Sequence, residues 1–228
     1  MSTQKSNLTK GLVMMVTFFI VLGIFFSPVF NGHNGLEYLD SLYNSISKGS
    51  AYYIPKVKET SDKFIGTTVD LALETADEQT AGQTALLFQA AGAETAVEGA
   101  SLNVKGDLGR IMEKCLDDAD AMYHNDGAKV AGKYGYEEKL ALYNWYRALK
   151  EMNTDLTKQK AFKAAEAVDL VRQKAVEASY NYYGIQPQKI GDRVGVVIFS
   201  LVFYVIYTVW YGFGILYLFE GLGLKFGH

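Results

Sequence analysis

The 228-residue chain contains one cysteine, three histidines and three prolines. The lone Cys115 excludes an intrachain disulfide, and the absence of any Cys-x-x-Cys-His excludes covalent haem attachment. Without Glu-x-x-His pairs, a di-iron bundle centre has no ligand set. The few histidines and the absence of a recognisable serine motif leave a nucleophilic triad unsupported, so no enzymatic activity is expected, and no cofactor. The formal charge of −3 is too small to mark a nucleic-acid partner. The scarcity of proline, with runs rich in Ala, Glu, Lys and Leu, favours helix over strand.

What the chain has instead is two long apolar runs, one near each end. Leu12 to Phe30 carries no charge, and its polar side chains are Thr17 and Ser27; Val194 to Phe219 is also uncharged. Each can cross a hydrocarbon core of about 30 Å at about 1.5 Å per residue. The mean hydropathy of +0.02 blends these runs with a hydrophilic middle. The expected organisation is a short cytoplasmic N-terminus (1–10), a first transmembrane helix (11–30), an extracytoplasmic domain (31–190), a second transmembrane helix (194–219) and a short cytoplasmic C-terminus (220–228). Lys5 and Lys10 precede the first run and Glu37 and Asp40 follow it, which places the N-terminus inside. The first run exceeds an ordinary signal-peptide core and no small-residue cleavage site follows Phe30, so it reads as an uncleaved signal anchor. In a bacterium this means an inner-membrane protein with a periplasmic middle domain.

The middle domain reads as all-α, an antiparallel helical bundle flanked by the two transmembrane helices. Gly35 to Ser47 is amphipathic through Leu36, Leu39, Tyr43 and Ile46 and suits the membrane surface. Lys56 to Glu98 reads as one long helix with a coiled-coil-like seam of Ala, Thr and Gln, and its part from Gln79 to Thr95 could form a polar groove for a ligand. Asn103 to Gly106 is expected to be a turn. Asp107 is expected to cap a helix reaching Asn125, whose apolar stripe contains Cys115. Residues 126–135, with three glycines, read as a loop. Helices are expected over Tyr136–Met152 and, after a break at Asn153 and Thr154, over Leu156–Tyr183. No strand pattern stands out.

Few residues suggest chemistry. The stretch from Gly127 to Tyr134 nearly spells a phosphate-binding loop, but Tyr134 stands where a Ser or Thr must bind magnesium. The calcium-loop register that uses Gly127 as its turn glycine puts Lys133 where a bidentate glutamate is needed. Asp117, Asp120 and His124 share one helical face and are the candidate metal ligands, although an acidic surface explains them equally well. Tyr134, Tyr136, Tyr143, Trp145 and Tyr146 form one aromatic cluster. Tyr180, Tyr182 and Tyr183 form another, placed to anchor at a membrane interface.

In the second span, Ser200, Tyr204, Tyr207, Thr208 and Tyr211 line one side of the helix. Hydroxyls within a membrane gain about 0.6 kcal/mol from an interhelical hydrogen bond, so this stripe is expected to pack against another helix. The first span offers only Thr17, Gly23 and Ser27 in return, which favours a further copy or another membrane subunit as partner, in addition to the lipid bilayer. Glu220, with Lys225 beyond it, is expected at the cytoplasmic interface.

The layout resembles, in outline alone, the sensor halves of chemoreceptors, where two spans flank a helical bundle; the residues after Phe219 are too few for an output module. The expected function is therefore a non-enzymatic scaffold or accessory subunit of a membrane complex. The alternative is an extracytoplasmic small-ligand sensor that relays through another protein.

Overall fold

The computed structural model describes residues 2–30 and 32–224; Lys225 lies outside them. The chain divides into two compact units, one formed by residues 1–49 and 187–228, the other by Ser50–Gln186.

In the first unit, α1 (Ser2–Phe25) and α10 (Ile190–Gly221) are long and apolar enough to cross a membrane. They pair antiparallel. Asn7 Nδ2 donates to Glu220 Oε2 at 3.0 Å, and Lys10 lies over the Tyr217 ring. Further along the pair, Phe18 stacks on Tyr207 with centroids 4.6 Å apart, and at the far end Phe25 meets Phe203. Close approach is set by glycine: a Cβ on Gly11 would lie 2.6 Å from the Leu218 backbone nitrogen, and one on Gly214 2.9 Å from Met15 Sδ. One threonine hydroxyl on each helix turns to its own backbone. Thr17 donates to the Val13 carbonyl and Thr208 to that of Tyr204, which keeps polar groups satisfied without water. α1 ends at Phe25, short of Pro28, so the apolar run outlasts the helix. The amphipathic α2 (Gly35–Ser50) belongs to this unit. Asn34 and Glu37 cap it reciprocally: each side chain accepts from the other's backbone N–H, at 2.9 and 3.2 Å.

The second unit corrects the all-α expectation, because a small three-stranded sheet stands among its helices. The segment expected as one helix from Lys56 to Glu98 instead holds α3 (Ile54–Ser61), β1 (Thr68–Glu74), α4 (Glu78–Ala90) and β2 (Glu94–Glu98). The expected turn at Asn103–Gly106 lies inside β3 (Ser101–Asp107). The strands are antiparallel in the order β1-β3-β2. Val69, Leu71 and Leu73 alternate with exposed residues on β1, as Leu102 and Val104 do on β3, so one face is buried. Gly92 (φ 79°) releases the chain from α4, and Gly99 (φ 60°) opens the two-residue turn between β2 and β3. The outer edge of β1 is covered by side chains: Ala72 N–H donates to Asp155, and Gln159 Nε2 donates to the Asp70 carbonyl at 2.9 Å.

The remaining elements are α5 (Leu108–Tyr123), α6 (Gly127–Tyr134), α7 (Glu138–Lys158), α8 (Phe162–Val171) and α9 (Glu177–Tyr182), with a π-helical turn at Arg172–Val176 joining the last two. Asp107 caps α5, as its sequence predicts, by accepting from Arg110 N–H at 3.0 Å. Burial raises the Asp107 pKa, but the N–H donors of Arg110, Gly66 and Gly109 outweigh it and hold the carboxyl below its usual range. Two further expectations are corrected. The glycine-containing stretch 126–135 is mostly the helix α6, closed by Gly135 in the left-handed conformation. α7 passes unbroken through Asn153 and Thr154, because Thr154 Oγ1 donates to the Lys150 carbonyl and Asn153 Nδ2 bridges to the Ala165 carbonyl. The break falls instead at Gln159–Ala161, where Lys160 takes φ 62°. Leu71, Leu87, Phe88, Leu102, Ile111, Leu149 and Val168 belong to one contiguous core.

Candidate functional site

The cysteine stripe of α5 is core: Leu108, Ile111, Met112, Cys115, Ala119 and Met122 are buried. Burial pushes the Cys115 thiol well above its ordinary pKa, so it is held as an inert apolar group. The candidate metal ligands diverge in role. His124 Nδ1 lies 2.9 Å from the Asp120 carbonyl and 3.3 Å from its carboxylate, and Tyr52 donates to that carboxylate at 2.6 Å. Asp117 acts instead on the Lys58 side, where Glu113 is the closer partner. Among the described residues, no group of three or more His, Cys, Asp or Glu converges as a metal site.

The aromatic clusters serve the second unit itself. Tyr183 donates to Glu138 Oε1 at 2.8 Å, Tyr182 meets the edge of Tyr123, and Tyr180 lies beside Tyr143. The expected stripe on α10 splits. Ser200 is buried, 2.6 Å from the Tyr43 hydroxyl of α2, and Tyr207 and Tyr211 pack on Phe18 of α1. Tyr204 and Thr208 point outward, and Tyr204 is 67% exposed. The first span thus answers the stripe with a phenylalanine ring in place of the hydroxyl partners sought in its sequence.

The polar constellation that sequence reading missed centres on Asp118 of α5, which is 0% exposed. Lys133 Nζ donates to Oδ1 at 2.6 Å, while Trp145 Nε1, at 3.1 Å, and the Tyr134 hydroxyl donate to Oδ2. α6 supplies Lys133 and Tyr134, and α7 supplies Trp145, so one carboxylate ties three helices together. Burial first, then the bond to Asp118, raises the Tyr134 pKa far above that of a free phenol. With both carboxylate oxygens occupied, the network is closed and holds its helices in register. The available signal was the i, i+3 neighbourhood of Cys115 and Asp118 on an otherwise apolar face.

Beside this network, the end of β1, α4 and α7 enclose a cavity of about 270 Å³. Leu73, Ala76, Leu140 and Ala148 give it apolar surface; Glu74, Thr80, Thr84, Asn144 and Arg147 give it polar groups. Asn144 adjoins Trp145 in sequence, is 1% exposed, and its Nδ2 has no hydrogen-bond partner. Its side chain acts on Tyr136 as a hydrogen-bonding group and lowers that phenol's pKa, but burial outweighs it and pushes the phenol up to about 12. The Tyr136 hydroxyl itself donates to the Gln83 carbonyl at 3.1 Å. α4 contributes Thr80 and Thr84 from within the Gln79–Thr95 stretch that its sequence marked as a ligand groove. The arrangement offers hydrogen-bond donors and charge around an apolar hollow; Cys115 is sealed, and His124 lines no wall of it.

No family model matches the chain, and neither the curated proteins nor the solved structures contain a match to it. By fold it is a protein with two helices able to cross a membrane and one mostly helical unit that holds a small antiparallel sheet.

Proposed function

We propose that the chain is a two-pass inner-membrane protein, non-enzymatic, whose 50–186 unit works outside the cytoplasm as a scaffold or accessory subunit of a membrane complex. Tyr204 carries this reading. It lies near the middle of α10, is 67% exposed, and its hydroxyl has no partner among the described residues. A phenol at that depth in hydrocarbon gains from a hydrogen bond on a neighbouring helix. The antiparallel contact of Asn7 with Glu220 supports both chain ends sharing one side.

The test is extraction of C-terminally tagged protein in mild detergent, followed by native mass spectrometry. The expected particle contains a second polypeptide or a second copy, and Tyr204→Phe together with Thr208→Val dissociates it while leaving insertion intact. A wild-type monomer would overturn the scaffold reading.

A second reading, an extracytoplasmic small-ligand sensor relaying through another protein, is favoured by the cavity between α4 and α7. Its distinguishing observation is the mixed lining of that cavity, with Glu74 and Arg147 beside Leu73, Leu140 and Ala148.

A further inference from the structure

The sheet has one covered edge and one open edge. The ladder fixes which backbone groups each edge strand turns outward. The two-residue turn makes Glu98 and Ser101 a hydrogen-bonded pair, so Ala96 and Glu94 also bond to β3, whereas Thr95 and Val97 direct N–H and C=O away from it. The same alternation on β1 turns Asp70 and Ala72 outward, and theirs are the backbone groups that Gln159 and Asp155 hold. Nothing comparable covers β2. Among the described residues no group bonds the outward N–H and C=O of Thr95 and Val97, although the Thr95 hydroxyl accepts from Gln89 Nε2 at 2.8 Å. No proline or bulge blunts the strand, whose pairing with β3 runs unbroken from Glu94 to Glu98. From this contrast we infer that the β2 edge takes up an extended segment of a partner protein in which basic and apolar residues alternate. The inference rests on the scaffold reading and names the chemistry of the partner.

Side chains select the occupant. Thr95 and Val97 pair with the buried Val104 and Leu102 and share their face, and Val97 is 39% exposed, so an added strand meets apolar surface on that side. Glu94, Ala96 and Glu98 lie on the opposite, exposed face. The ladder sets Glu94 in one row with Lys105 and Asp70, and Glu98 in another with Ser101 and Glu74. Lys105 is the single cation in those rows, and among the described residues neither it nor any of these carboxylates enters an ion pair. A second copy is a poor occupant. Antiparallel pairing about Ala96 sets Glu94 against Glu98 of the copy, and parallel pairing in register sets each glutamate beside its own counterpart; like charges across a strand pair are destabilising. Lysine or arginine at alternate positions of an incoming strand answers both glutamates, while the outward N–H and C=O groups of Thr95 and Val97 hold its backbone.

The experiment uses the full chain in micelles of an uncharged detergent. The probes are a peptide alternating lysine and valine, the same peptide with glutamate for lysine, and two N-methylated forms of the lysine peptide, one methylated at its valines and the other at its lysines. The lysine peptide is expected to bind in calorimetric titration, more weakly as salt rises, and to slow hydrogen exchange at the Thr95 and Val97 amides. The glutamate peptide is expected not to bind, nor is the N-methylated form that has lost the N–H groups facing β2. Glu94→Lys with Glu98→Lys is expected to keep the peptide-free melting temperature and weaken binding by roughly tenfold or more. Val97→Pro, which removes an outward N–H that β3 does not use, is expected to weaken it likewise, and Glu59→Lys, on α3, to preserve it. Binding shared by both N-methylated forms, or binding that leaves exchange at Thr95 and Val97 unchanged, would mean diffuse attraction to acidic surface and overturn the edge. Slowed exchange there without peptide, growing with protein concentration, would place a second copy on β2 and overturn the basic partner. No binding of the lysine peptide would overturn the proposal and leave the scaffold reading to the composition of the native particle, which turns on Tyr204.

Discussion

In the 50–186 unit Leu71, Leu87, Leu102 and Leu149 are sealed from solvent, while on α10 Leu201, Val205 and Ile206 are more than half exposed. The same kind of side chain faces in on the one unit and out on a helix long and apolar enough to cross a membrane. The difference decides what holds each unit together. Full burial of a leucine stabilises by about 1.5–3 kcal/mol when the alternative is water. That driving force is missing between helices that cross lipid, and α1 and α10 show the close backbone approach and ring stacking that replace it there. Polar groups follow the opposite pattern. On the hairpin, the Thr17 and Thr208 hydroxyls return to their own helix; in the second unit, Asp118 reaches donors on two other helices.

The sharpest way to break this contrast is therefore a polar deletion in the second unit. Asp118→Ala strands the Lys133 ammonium, the Trp145 indole N–H and the Tyr134 hydroxyl around an empty site. The expected loss of unfolding free energy is about 3–5 kcal/mol, typical of removing one partner from a buried charged pair. Urea unfolding of the full chain in micelles, followed by near-ultraviolet circular dichroism, measures it. A loss comparable with an ordinary surface substitution would mean that the network does not hold the three helices.

The corresponding break in the hairpin is a gain of volume. Gly11→Leu places a side chain against the Leu218 backbone, which cannot rotate aside as the thioether of Met15 can at Gly214. Overpacking of this kind costs about 1–3 kcal/mol. The readout is cross-linking between Asn7→Cys and Glu220→Cys, whose native side chains are 3.0 Å apart. Strong cross-linking before the glycine substitution and little after it is the expected result. Equal yields in both would show that the helices do not rely on this contact.

Legibility in the sequence followed the same division. The two long helices were readable because an uncharged run of that length has few alternatives, and Asp107 was readable because its cap is local. The sheet was not, since β1 is only Thr68–Glu74 and its alternation of Val69, Leu71 and Leu73 is embedded in an alanine-rich stretch that also satisfies helical spacing. Gly66, Gly92 and Gly99, each at positive φ, were the breakers that separate those elements. α6 was hidden for the converse reason: Gly127 and Gly132 are tolerated within it, and Gly135 alone acts as its stop. Of the candidate site, the Gln79–Thr95 stretch was legible as polar and small. Asn144 and Arg147 were not, because their relation to it depends on α7 packing beside α4, a contact between segments far apart in the chain.

Tyr136 sharpens the comparison from its less sensitive side. Burial raises its pKa to about 12 from an ordinary 10.0, so the folded chain keeps this proton where the unfolded chain releases it. The stabilisation is complete below pH 10 and declines as pH rises from about 10 to about 12. One pKa unit corresponds to about 1.4 kcal/mol, and screening of the partly accessible ring reduces the loss at pH 11 to the order of 1 kcal/mol. Tyr134, also raised, adds a loss in the same direction, so the wild-type curve falls steadily above pH 10. Tyr136→Phe is expected to lie below wild type at pH 8, where it lacks the bond to the Gln83 carbonyl, and to fall less steeply above pH 10. Melting temperatures of both chains between pH 8 and 11.5 give the two slopes. Parallel curves would mean that Tyr136 titrates alike in the folded and unfolded states and that its ring is open to water.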